Sequence, residues 1–303
     1  MGFPALAPGQ DSSTAVIRGR VIDVNGGTIG GATVALVNEE TGFRYSGTTD
    51  PEGRFAFEQL PPGDYAGRAT ADHMSPQITP KLRADVGGIT TLEFHLAVAG
   101  AKETITVSGA AQLVEAQPSA VSSLIDESTI NGVPLNGRRF TDLALLTPGV
   151  TQDPRGLTSG SNGDLAFGGI RGFQSSYLVD GGDNNNAFFS QATGRYRAPY
   201  QFSNEVVQEF RVSANTYGPE LGRAGGAVVN VVTKSGSNHI RGNAFYFLRN
   251  SSFDARHPFL DFKPHDQQQQ FGFTLGGPIR RNRVIFLRAS TSTSSICLRW
   301  SDL

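Results

Sequence analysis

Between Gly163 and Asn238 the chain cannot run far without turning. Short β-prone runs (Ser176–Val179, Glu209–Ser213 and Ala227–Thr233) alternate with glycine clusters and the Asn/Asp-rich string DGGDNNN. Glycine adopts the positive-φ conformations of tight turns without steric cost, and Asn and Asp tolerate them. The stretch therefore predicts a compact, loop-rich α+β unit with little ordinary hydrophobic core. It carries no obvious catalytic set. Across all 303 residues glycine is abundant (37) and charged residues are few (17%). With turn signals recurring every several residues, that favours a mainly β protein.

Several classes are excluded early. The 27 acidic and 26 basic residues nearly cancel, so charge gives no case for nucleic acid or an anionic membrane surface as partner. One cysteine, Cys297, allows neither a disulfide within the chain nor a cysteine-based zinc site. His73, His95, His239, His257 and His265 show no HExxH or comparable spacing, and no metal is expected. Asp180–Asn186 lacks the calcium-loop spacing of an EF-hand and reads as a turn cluster. Gly168-Gly169 and Gly225-Gly226 make no dinucleotide fingerprint, and no cofactor is expected. No apolar run reaches the roughly 18–20 residues of a membrane-crossing helix, which leaves a β-barrel open. Residues 1–13 lack the basic start and apolar core of a secretory signal. They are expected to be a leader remnant or disordered, with the true start upstream.

Residues 14–98 read as a meander of short strands. Ala15, Ile17, Gly19 and Val21 share one face, with Arg18 and Arg20 opposite. Val34 and Leu36 lie together in Ala32–Val37, and Asp50-Pro51-Glu52-Gly53 has the residue preferences of a type I turn. Phe55 and Phe57 share a face. Thr90, Leu92, Phe94 and Leu96 alternate against Glu93 and His95. This spacing predicts an antiparallel β-sandwich. The strings GRVIDVNGGTIGGATV and TTDPEGRFAFEQLPPGDY resemble the carboxypeptidase regulatory-like domain, a transthyretin-like sandwich. Tyr45 and Tyr65 are either sugar-stacking platforms or core, and a scaffold role is expected.

Residues 99–109 form a linker containing the β-prone Glu103-Thr104-Ile105-Thr106-Val107-Ser108. From the residues alone this is an edge strand of a neighbouring domain or a segment that pairs with another protein. In residues 110–238, Asn136 is a candidate helix N-cap. Phe140, Leu143 and Leu146 recur every third residue before Pro148-Gly149 ends the helix. IRGFQSSYLVDG, followed by YGPELGRAGGAVVNVVTKSGSN, resembles the plug domain of TonB-dependent outer-membrane receptors, more narrowly the Oar-like and SusC-like members with a sandwich ahead of the plug. The resemblance implies that Glu103–Ser108 is a TonB box, which adds as a strand to the energy-coupling protein TonB. It also implies that the plug loop after Asn184 helps to bind ligand, which makes Asn185, Asn186, Phe188, Arg195 and Tyr196 the candidate contacts. Arg171 is either a plug–barrel ion-pair partner or an exposed strand residue.

Residues 239–289 alternate as wall strands would. Ile240, Gly242, Ala244, Tyr246 and Leu248 oppose Arg241, Asn243, Phe245, Phe247 and Arg249; Phe271, Phe273 and Leu275 oppose Gln270, Gly272 and Thr274. An apolar outer face against a mixed inner one is the pattern of a transmembrane β-strand. A second hairpin is expected to turn at Arg280–Arg283. Residues 290–303 read as a divergent tail, and the chain as a fragment cut early in its barrel. The fold class expected is thus a transthyretin-like sandwich, an α+β plug and the first strands of an incomplete barrel. The function implied is TonB-dependent uptake, across the outer membrane, of a scarce nutrient such as a siderophore, cobalamin, glycan or peptide. The alternative is a cell-surface carbohydrate-binding or adhesion protein using the sandwich. No nucleophile–base or metal constellation supports an enzyme.

Overall fold

Alternating apolar residues build the first unit. β1 (Ala15–Asp23) buries Ala15, Ile17 and Val21 and exposes Arg18 and Arg20. It is followed by β2 (Thr33–Asn38), β3 (Arg44–Thr48), β4 (Arg54–Leu60), β5 (Gly63–Thr70), β6 (Gln77–Ala84) and β7 (Ile89–Leu96). These form two facing sheets, ordered β4-β1-β7 and β3-β2-β5-β6, with β1 antiparallel to β4 and parallel to β7. Val34, Leu36, Leu60, Leu92, Phe94 and Leu96 meet between them, as strands with one inward face require. The turn before β4 closes as its sequence predicts: Gly53 N donates to Asp50 O at 2.9 Å, and Asp50 Oδ1 accepts from Arg54 N at 2.7 Å. The computed structural model describes residues 13–99, 122–133, 140–152, 165–170, 174–185, 202–214, 224–256, 258–259, 263 and 265–297.

In the second unit β8 (Ser122–Ile125) leads into α1 (Glu127–Gly132), a 3₁₀ segment Phe140–Leu146, β9 (Val150–Gln152), β10 (Leu165–Phe167), β11 (Ser176–Val179), β12 (Gly182–Asp183), β13 (Val207–Ala214) and β14 (Ala227–Thr233). The main sheet runs β12-β11-β14-β13-β8. Two expectations change here. The Phe140 segment is 3₁₀ in character, with Thr147 N donating to Ala144 O, three residues back. Its spacing of three had already been that of a 3₁₀ turn. Phe140 and Leu143 are buried, and the Phe140 ring stacks on Phe202 at 4.3 Å, whereas Leu146 stays exposed. The unit also has a full apolar core, contrary to the expectation of little. β14 is central, buried from Ala227 to Val232, and packs with Phe167, Tyr177, Phe210 and Val212. Apart from Gly182 in the exposed β12, the strands of this unit contain no glycine, so glycine dilutes the composition without thinning the core.

The third unit is an antiparallel meander of β15 (Arg241–Asn250), β16 (Asp266–Arg280) and β17 (Val284–Cys297). Asn282, at φ 58°, makes the turn between the last two. β17 runs on to Cys297, still paired with β16, past the Ala289 boundary expected from the residues. On β16 the two faces differ as the alternation requires, whereas β15 is exposed on both faces along most of its length. Gln270 and Thr274 are 7% and 8% exposed, while Phe271, Phe273 and Leu275 are 49%, 43% and 43% exposed. Thr274 lines a cleft shared with Gln208 and Lys234 of the second unit.

Within the sandwich, Tyr65 is fully buried and its hydroxyl donates to Pro61 O at 2.7 Å. Half-buried Tyr45 packs beside it at 6.2 Å, so Tyr65 is core and not a stacking platform. Burial pushes the Tyr65 phenol from its ordinary 10 up to about 12. A phenol pKa raised by folding gives stability that is complete below pH 10 and lost as pH rises through 12. Tyr65→Phe is expected to cost about 1 kcal/mol at neutral pH through the lost hydrogen bond. Its urea-unfolding midpoint should converge on that of the unsubstituted protein as pH rises from 10 to 12; profiles that stay parallel would contradict this.

Candidate functional site

The plug contacts both neighbours through polar groups at the ends of its strands. On the barrel side, the exit from β14 reads Lys234-Ser235-Gly236-Ser237-Asn238. Lys234 Nζ pairs with Glu127 Oε1 at 2.9 Å inside the plug. Gly236 lies so close to β17 that a Cβ there would come within 2.4 Å of Phe286 O, so only glycine lets the exit run flat on the wall. Asn238 then joins three units. Its amide N donates to Glu40 O at 2.8 Å and its Nδ2 to Thr41 O, both on the sandwich, while its Oδ1 accepts from Asn282 N at 2.8 Å in the barrel turn. Beside it Arg241 Nη1 meets Glu40 Oε1 at 2.6 Å. Gly42, at φ 72°, leaves room for the Asn282 side chain, whose Oδ1 lies where a Cβ would be. Deeper in, the buried Glu205 accepts from Asn243 Nδ2 at 3.1 Å on the inner face of β15.

On the sandwich side the central group is Glu209 of β13. Its side chain is fully buried; Oε2 accepts from Val86 N at 2.9 Å and Oε1 from Arg83 Nη2. Arg83 Nε also binds Asp85 Oδ1 at 3.0 Å, with Asp64 Oδ1 at 3.5 Å from Nη1. Burial pushes the Glu209 carboxyl above its ordinary value; the Val86 amide and the Arg83 charge pull it back only in part. Burial opposes the charge on Arg83, but Glu209, Asp85 and Asp64 together raise its pKa. A bulge in β13 sits between Val207 and Glu209, and neighbouring Gln208 donates from Nε2 to Pro62 O at 3.2 Å. A cleft of about 670 Å³ runs along this junction, lined by Asp64, Lys81 and Arg83 from the sandwich and Asp126, Asn131 and Gln208 from the plug.

The hairpin β11–β12 turns at Asp180-Gly181, with φ of 49° and 78°. The Asp180 carboxylate accepts from Thr233 N at 2.8 Å and from Thr233 Oγ1 at 2.7 Å, so the Asp/Asn string is a turn cluster that ties the hairpin to β14. Of the candidate ligand contacts, Asn185 is described. Its Oδ1 accepts from Tyr177 N at 3.0 Å, and its Nδ2 donates to Ser176 Oγ at 3.0 Å. It therefore anchors the start of the loop. Asn186, Phe188, Arg195 and Tyr196 lie outside the described residues, as do Arg171 and the box candidates Glu103, Thr104, Ile105, Thr106, Val107 and Ser108. An apolar pocket of about 440 Å³ opens next to Asn184, between Phe202, Val206 and Leu287. Among the described residues no group of His, Cys, Asp and Glu could hold a metal ion. The sequence reading passed over Arg83, Glu209 and Asn238, because each looks like an ordinary surface residue until the units are docked.

The described fold is thus a sandwich, a second domain built on a five-stranded sheet, and an antiparallel meander whose central strand is apolar on its exposed face. Residues 16–97 match the family model for the carboxypeptidase regulatory-like domain, and residues 232–293 that for an outer membrane beta barrel domain. The chain is 27% identical over 254 residues to the TonB-dependent transporter Oar of Myxococcus xanthus, covering 78% of this chain. It spans 23% of that relative's length. These matches make the chain similar to a TonB-dependent outer-membrane transporter, through a regulatory-like sandwich and outer-membrane barrel strands. Among solved structures, the siderophore receptor PirA from Acinetobacter baumannii overlaps 57% of this chain and 24% of its own at 19% identity and a TM-score of 0.43. Catechol 1,2-dioxygenase from Pseudomonas arvilla C-1 overlaps 33% of this chain and 56% of its own at 16% identity and a TM-score of 0.26. Likenesses of that size say nothing about activity.

Asn185→Ala is expected to destabilise the plug by about 1–3 kcal/mol, since it takes from the Tyr177 amide an acceptor it uses. A thermal midpoint equal to that of the unsubstituted protein would contradict an anchoring role.

Proposed function

We propose that this protein works in TonB-dependent uptake of a scarce nutrient across the outer membrane, the nutrient being an iron chelate, cobalamin, a glycan or a peptide. The observation that carries the reading is the exit Lys234–Asn238, which lies against the inner side of the wall strands and joins them to a sheet built to fill a pore. Ligand capture falls to the loop that Asn185 anchors, through Asn186, Phe188, Arg195 and Tyr196. Energy coupling falls to Glu103–Ser108, between the sandwich and the first plug strand. Strand addition draws its affinity from main-chain hydrogen bonds, so such a segment needs only β-compatible side chains. No covalent chemistry is involved. Ligand binding outside is transmitted to the coupling segment, and force moves the plug.

A peptide spanning Lys102–Gly109 is expected to bind the C-terminal domain of TonB. Ile105→Pro should abolish that binding by removing a ladder donor. Equal affinities for the two peptides in a calorimetric titration would remove the assignment of the coupling segment.

A further inference from the structure

We propose that the N-terminal sandwich is a releasable clasp on the plug, closed at Glu209 and at Asn238 and opening as one unit. On a regular strand successive side chains point to opposite faces. Gln208 and Glu209 are consecutive, yet both reach the sandwich, one at Pro62 O and the other at Arg83 and Val86 N. The bulge in β13 makes this geometry available, and bulges commonly re-aim a side chain in this way. Its effect here is to present two adjacent polar groups to one partner.

The sandwich side is preset. Arg83 lies opposite Asp64 in the β5–β6 pairing and is held by Asp64 and Asp85 of its own domain. The guanidinium therefore arrives ordered, with Nη2 turned toward the plug. The second contact is about as polar: Glu40 O, Thr41 O and the Glu40 carboxylate meet Asn238 and Arg241. The two apolar cores share no residue. Taking Glu209 out of water opposes the gain from its partners, so the contact specifies orientation more than it adds adhesion. Polar contacts between domains with separate cores are the kind that permit relative motion. This junction is built to open.

Glu209 also sits next to Phe210, which pairs with Ile125 of β8. The sandwich and the first plug strand thus hold the same strand, β13, and residues 100–121 connect them. A pull on that connection is shared between the β8 pairs and the clasp while the clasp is closed, and falls on β8 alone once it opens. This consequence rests on the uptake reading; the clasp itself does not.

Hydrogen exchange of the full chain, read by mass spectrometry at peptide resolution, tests the clasp without TonB or ligand. In the unsubstituted protein the Val86 and Asn238 amides should be protected. Glu209→Ala should accelerate exchange at both by at least about tenfold, the upper limit of protection being set by global stability, while β14 and β2 stay protected. Arg83→Gln removes the ion pair of that contact from the sandwich side, leaving the Val86 hydrogen bond. It should reproduce the pattern, which keeps the test decisive if Glu209→Ala disturbs the plug core. Rapid exchange at Val86 in the unsubstituted protein would overturn the proposal. So would acceleration at Val86 with Asn238 unchanged, because the two contacts would then open separately. Peptide binding to TonB is unaffected by either result, so the clasp and the uptake reading fail independently.

Discussion

A strand set between lipid and a polar interior must keep every backbone group paired and carry apolar side chains on one face only. β16, paired on one edge by β15 and on the other by β17, meets both demands. Its ladders run unbroken from Arg241↔Gly276 to Asn250↔Gln267, and from Pro278↔Ile285 to Asp266↔Cys297. Tyr246, Leu248, Phe271, Phe273 and Leu275 are exposed on one side, while Gln270 and Thr274 are covered on the other. Once the inner face is polar, whatever fills the space beside it must meet it with polar groups. The plug does so with Glu205 at Asn243 and with Asn238 at Asn282.

That requirement explains how the plug is divided. Its apolar residues are gathered around β14, so the sheet is stable as a body. Its contacts toward wall and sandwich include hydrogen bonds and ion pairs beside the apolar pocket at Leu287. A body held this way can be firm in its own fold yet separable from its surroundings, since polar contacts exchange for water at small net cost whereas apolar burial does not. Gly236 and Asn238 set the closeness and the register of the one covalent crossing from plug to wall.

Much of this was legible in the residues. Ser176–Val179 and Ala227–Thr233 were read with the bounds they have, because short β-branched runs between glycine turns leave little freedom of placement. The period of two in Gln270–Leu275 gave the correct inner and outer faces. The Phe140 segment was seen, but its spacing of three marked a 3₁₀ turn and left Leu146 outside. The plug core was undervalued because glycine counts describe connections as much as strands. Arg83, Glu209 and Asn238 carried no local signal at all: their partners lie 126 residues apart in the first pairing and 197 in the Asn238–Thr41 contact. Periodicity reports which face a residue takes, not which surface will cover it.

The central claim is that β15 and β16 divide lipid from plug, and spin-label accessibility in a bilayer tests it most directly. Labels placed singly from position 242 to 248 and from 270 to 275, in the protein reconstituted in lipid, should show oxygen accessibility rising and falling with a period of two. It should be high at Ala244, Tyr246, Phe271 and Phe273, and low at Asn243, Gln270 and Thr274. A flat profile, or one with the polar positions facing lipid, would contradict the account.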